Sequence, residues 1–287
     1  NLAIKQKESV MQIGSSNSTI NQNVYLNANQ SLNRIATGLE LNQASDDASG
    51  ISIATSLLAQ SNGYGQAIEN ANSAIAATQI ASSATNEQSN ILDNIKEKLL
   101  QASTDTTSQE GRDAILKDIQ KQLEQFDKIA SGTNYNGQTL LQKSSTDSSV
   151  SDVQQYQSGL KGEQIIETSG IQSNTQGLGL TALANQDATT FSSSDAKSFL
   201  ENVDKAISGL NNVRSEFGAV QNQLESSSRN LLSQQTSTLN AASLFDTNYA
   251  KESSNFSKQN ILAQIGSFGQ AQANNLNQQI VSRLLGQ

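Results

Sequence analysis

The sequence predicts a mainly α protein in which long helices meet along thin seams, with a small β-hairpin region in the middle. Three observations carry this. The 287 residues contain no Pro, where average usage of about 5% would supply roughly 14. An interior Pro costs a helix about 3 kcal/mol, so its absence fits long unbroken helices. Gly is missing from 66–110 and again from 219–265, and apolar residues recur there at helical steps. Hydrophobic residues make up 35% and aromatics 4% of the chain, much of the apolar share is Ala, and thin helix-on-helix packing suits that better than a thick globular core.

The elements follow in order. Ile13, Ile20, Val24, Ala28, Leu32, Ile35 and Leu39 form a stripe spaced by sevens, fours and threes, which predicts an amphipathic helix over 13–37. Its other face is Asn, Gln and Ser, which are mediocre helix formers. Helix stability comes mostly from packing an apolar face, so this helix needs a partner. Gly38 weakens the helix, and Ser45, Asp46 and Asp47 supply N-cap oxygens for a second one. That helix is expected over 48–61, ended by Asn62-Gly63-Tyr64-Gly65. A long helix runs from 66 to about 101, a polar break covers 103–108, and Ile115, Ile119, Leu123 and Phe126 mark another helix over 111–129. Ser131 to Gly137 is a turn cluster.

The middle, residues 142–195, is rich in Ser, Thr, Gly and Gln. Tyr156 and 165–168 read as short strands around Ser158 to Gly162, a hairpin pattern. Ser144 to Ser151 and Ser192 to Ser194 read as exposed loops. Helix returns near Ser194, with Phe199, Val203, Ile207 and Leu210 spaced 4, 4 and 3. Leu224, Leu231 and Leu239 continue it, and a last segment carries Phe256, Ile261, Ile265, Phe268, Leu276, Ile280 and Leu284.

Composition excludes several functions. No His and no Cys means no Ser-His-Asp triad, no thiolate chemistry and no His-based zinc site. Asp46-Asp47 is better read as helix capping than as a metal or acid/base pair, since no third ligand lies nearby. A net charge of −8 and a pI near 4.6 speak against nucleic acid and anionic membrane as partners. No apolar run reaches the ~18 residues of a membrane span. The first residues lack the apolar core of a secretory signal, so export is expected by another route. No enzyme activity and no cofactor are expected.

Residues Ser31 to Ala54 read SLNRIATGLELNQASDDASGISIA. This resembles the N-terminal signature of bacterial flagellins. Arg214 to Glu225 (RSEFGAVQNQLE), Lys258 to Gln264 (KQNILAQ), Gln270 to Asn274 with Leu284-Leu285, and Ser131 to Leu141 are similar to further family motifs. The likeness covers about 30–141 and 200–287. Departures include Glu40 where Arg is usual, Asn248 in the DTNYA run, and Gln278 near a common Pro.

The resemblance implies an antiparallel helical bundle in which the N- and C-terminal helices pair as a coiled coil. Its parts would be an axial, inner-tube helix and connector over 1–42, an outer helical layer over 43–141 and 196–247, a variable β and loop region over 142–195, and a C-terminal axial helix over 248–287. It implies a subunit of the flagellar filament, extracellular and secreted through the flagellar export apparatus. Implied partners are further copies of itself, an export chaperone, and cap and hook-junction proteins. A hook–filament junction protein and a secreted helical tip protein are the alternatives. Inner-tube contacts would fall to Ile20, Val24, Leu32, Ile35, Ile261, Ile265, Phe268, Leu276, Ile280 and Leu284, with Arg34, Asp46 and Asp47 as polar inter-subunit residues. Asn94 and Lys98 replace an Arg and a Leu on the surface that the animal flagellin receptor reads, which implies weak recognition. Ser144, Ser145, Ser148, Ser149, Ser192 and Ser193 are O-glycosylation acceptors by the same resemblance.

Overall fold

The computed structural model describes the backbone of residues 2–285 apart from 143, 145, 150 and 152, and the side chains of these except 2–18, 20, 276, 277 and 280–285. Six α-helices are described, α1 Leu2–Thr37, α2 Ala44–Ala102, α3 Gln109–Gly132, α4 Thr181–Ala184, α5 Ser193–Ala242 and α6 Tyr249–Leu285. Two antiparallel strand pairs interrupt them: β1 Asn134–Tyr135 with β2 Gln138–Thr139, and β3 Gln155–Gln157 with β4 Ile165–Glu167. The chain divides into two compact units, Asn1–Ala59 with Thr238–Gln287, and Gln60–Ser237.

In the unit Gln60–Ser237, α2, α3 and α5 share a core. Leu92, Ile95 and Leu99 meet Ile119, Leu123 and Phe126 of α3 and Val203 and Leu210 of α5, with Leu183 and Phe191 closing the cluster. Toward its start α2 buries Ala67, Ala71, Ala74, Ala77 and Ala81 instead. These small residues let the hairpins approach the helix, and Ile166 of β4 packs with Ala71, Ala74, Val220 and Leu224. The β1–β2 turn has Asn136 and Gly137 both at positive φ, 51° and 79°, the left-handed pair that a two-residue type I′ hairpin requires. The hairpin read from Tyr156 and 165–168 forms in the register Gln155↔Glu167, Tyr156↔Ile166 and Gln157↔Ile165.

Two expectations are corrected. The helix does not end at Asn62-Gly63-Tyr64-Gly65; α2 runs through it. A Cβ on Gly63 would run into Leu160 of the β3–β4 loop, and one on Gly65 would lie 3.1 Å from Nε2 of Gln235. The two glycines serve close packing, which offsets the roughly 1 kcal/mol that each costs a helix. Ser192 to Ser194 is not a loop but the start of α5. Ser192 Oγ accepts from the Asp195 N–H at 3.2 Å, and Asp195 Oδ2 accepts from the Ser192 N–H at 3.0 Å. This reciprocal pair is a capping box with Asp at its third position. The segment after Leu141 is exposed at Ser144, Ser148 and Ser149 but tied down. Buried Gln142 donates from Nε2 to the carbonyls of Asp147 and Ser149, and its Oε1 accepts from the Ser173 and Asn174 N–H groups at 2.7 and 2.8 Å.

Candidate assembly surface

The unit Asn1–Ala59 with Thr238–Gln287 is built on α1 and α6. The two helices run antiparallel: Arg34 pairs with Glu252 at 3.8 Å, and Asn21 lies against Gly266. Among the described residues, the seam between them buries few large side chains. Val24, Ala28 and Ser31 are buried on α1, and Glu252 and Ala263 on α6. A Cβ on Gly266 would collide with the Asn21 side chain, so that side chain lies directly over the Gly266 backbone.

A backbone clasp closes the seam at one end. The Thr247 N–H donates to Gly38 O at 2.8 Å, the Glu40 N–H donates to Phe245 O at 2.9 Å, and Leu39 and Asp246 form an antiparallel bridge. Gly38 sits at φ +75°, with the Tyr249 hydroxyl 2.8 Å from where a Cβ would be. Only Gly meets both conditions without strain. Asp46 Oδ2 accepts from the Asn42 and Gln43 N–H groups, both at 3.1 Å, and these two bonds hold its carboxyl below the usual range. Asp47 has extended backbone and caps the following helix, its Oδ1 accepting from Ser49 and Gly50 N–H at 3.0 Å.

Among the described residues, several large apolar side chains of these helices face solvent. Ile261, Ile265 and Phe268 are 57%, 61% and 78% exposed. On α1, Tyr25, Leu26 and Leu32 are exposed while Val24 and Ala28 are covered. The single stripe read from the sequence therefore splits. Val24 faces α6, Ile35 is half-buried, and Leu32 faces out. The side chains of Ile20, Leu276, Ile280 and Leu284 lie outside the described residues. Arg34, Asp46 and Asp47 each have a partner in the same chain. Asn94 is exposed on α2, and Lys98 is held by Asp118 at 2.5 Å. Ser193 donates from Oγ to Asp105 at 3.0 Å, and Ser145 lies outside the described residues.

Sequence reading missed two features. The seam of Ser31, Ala263 and Gly266 carries no strong apolar signal; the three-residue step from Ala263 to Gly266 was the available clue. A groove of about 190 Å³ lined by Leu39, Ile51, Leu58, Leu239 and Phe245 joins segments far apart in sequence, which no local pattern reveals.

Residues 9–146 match the family model described as the bacterial flagellin N-terminal helical region, and residues 200–285 match the bacterial flagellin C-terminal helical region. The chain belongs to the bacterial flagellin family. This is a family of structural proteins, not enzymes. The chain is 31% identical over 268 residues to a flagellin of Halalkalibacterium halodurans, covering 92% of this chain and 95% of that protein. It is 50% identical over 111 residues to flagellin B of Helicobacter pylori, a match spanning 39% of this chain but only 22% of that longer protein. A solved chain assigned as a flagellar hook-associated protein of Vibrio parahaemolyticus shares the fold, with a TM-score of 0.57 over 70% of this chain and 99% of that one at 11% identity.

Proposed function

We propose that this chain is the subunit of a bacterial flagellar filament, a helical homopolymer that serves swimming motility. One observation carries the reading: α6 covers its small residues against α1 and leaves Ile261, Ile265 and Phe268 in solvent. Solvent-facing apolar residues in a row mark a surface made for a partner. In a homopolymer that partner is the next copy, joined head to tail so that the contact repeats. The near end-to-end match to the Halalkalibacterium halodurans flagellin favours a filament subunit over a hook-junction protein.

The finer readings follow from this one. The polymer is extracellular and its subunits leave the cell through the flagellar export apparatus. An export chaperone covers the exposed helices before assembly, and cap and hook-junction proteins meet the two ends of the polymer. Purified chain, seeded with sheared fragments, tests the central reading by sedimentation and negative-stain microscopy. Long filaments are expected. A chain that stays monomeric with seeds present overturns the reading, and growth that stops at short caps reassigns it to the junction.

A further inference from the structure

On the reading of a self-assembling subunit, we infer that the Ile261–Ile265–Phe268 ridge of one copy seats in the groove between the start of α2 and the end of α5 of the next. The groove floor carries Ile51, Ala54 and Leu58 on α2, facing Leu239 and Ala242 of α5. Leu58 and Leu239 are 43% and 46% exposed, so the groove is open to a partner. Ile51 to Leu58 and Ile261 to Phe268 each cover eight residues, seven steps or about 10 Å of helix. Ridge and groove are therefore equal in length.

Charge fixes the direction of seating. Asp246 lines the groove at its Leu39 end, where the two are bridged, and Glu40 lies beside it. The Asp246 carboxylate is exposed, and among the described residues it has no ion-pair or hydrogen-bond partner. On α6, Lys258 precedes Ile261 by one turn and sits on the same face, exposed and likewise without an ion-pair partner among the described residues. No other charged residue follows on α6 until Arg283. The ridge thus has one cation at its N-terminal end, and the groove has its carboxylates at one end. Seating Lys258 against Asp246 places Phe268 between Leu58 and Leu239.

Charge reversal tests the pairing. Asp246→Lys and Lys258→Asp are each expected to raise the concentration needed for assembly by about tenfold or more, because like charges then meet at the contact. An equimolar mixture of the two single variants is expected to assemble near the wild-type concentration, since alternating copies restore opposite charges at every contact. The double variant on one chain should do the same. Single variants that assemble like wild type overturn the inference, as do a mixture and a double variant that both stay monomeric. Wild-type chain that never polymerises strikes instead at the filament reading. Because the chain has no Cys, Ala54→Cys with Ile265→Cys gives a second readout. Oxidised polymer is expected to run as a ladder of linked subunits, and monomers alone would overturn the contact.

Discussion

Three residues show how local physics fixes this chain. Gly218 lies within α5, exposed, with nothing within 4 Å of where its Cβ would be. Gly218→Ala is therefore expected to stabilise the monomer by up to about 1 kcal/mol, or a rise in melting temperature of about 2–4 °C. An unchanged or lower melting temperature would show an unseen constraint there. Gly266, by contrast, cannot take a Cβ without moving Asn21. Asp127 accepts from the Thr175 N–H and hydroxyl, both at 2.8 Å. Burial pushes its carboxyl above the usual range, against the two hydrogen bonds that pull it down. A raised native pKa means that the folded state holds its proton longer than the unfolded one. Stability is then greatest below the unfolded value, near pH 4, and falls as pH rises through the folded one. Asp127→Asn keeps an oxygen for the Thr175 N–H and loses the charge. Its melting temperature relative to wild type is expected to rise from pH 4 upward, and a parallel pair of curves would contradict this.

At the scale of elements, the helices were legible and their partners were less so. The long helix over 66–101 and the break over 103–108 follow from Gly placement and apolar spacing, and the structure has both; the turn cluster read over Ser131 to Gly137 holds its tight turn at Asn136-Gly137, with Ser131 and Gly132 still in α3. The Gly63–Gly65 stop failed because the rule weighs a glycine as a cost alone. Here the missing side chains admit Leu160 and Gln235, a tertiary gain that local pattern does not contain. The 144–149 segment was legible as exposed, yet nothing local shows that Gln142, far from Ser173 in sequence, binds both segments. Gln142→Ala would remove four hydrogen bonds and leave the buried Ser173 and Asn174 N–H groups without acceptors. The expected loss is about 2–4 kcal/mol, read as an earlier denaturant midpoint, with proteolysis appearing first between 142 and 154. A loss under about 0.5 kcal/mol would mean that water replaces the amide.

For the whole molecule, the contrast between the two units matters most. The unit Gln60–Ser237 has a core of Leu, Ile and Phe from three helices. Among the described residues, the unit built on α1 and α6 buries Ala28, Ser31 and Ala263 in its seam and exposes Ile261, Ile265 and Phe268. A helix pair joined over its described length by small side chains gains little from packing alone, and copies of the chain can supply the rest. The site was half legible on the same grounds. Ile261, Ile265 and Phe268 follow from helical spacing, whereas their outward direction depends on which face Ala263 and Gly266 give to α1. Ile265→Asp tests this most directly. The residue is 61% exposed in the single chain, so the monomer should keep its circular dichroism and melting temperature. In the polymer the carboxylate would be buried unpaired, at a cost of several kcal/mol repeated in every subunit. Sedimentation of seeded protein is predicted to find Ile265→Asp wholly soluble at concentrations where wild type pellets as filaments. Filaments of Ile265→Asp forming at the wild-type concentration would contradict burial of this face between copies.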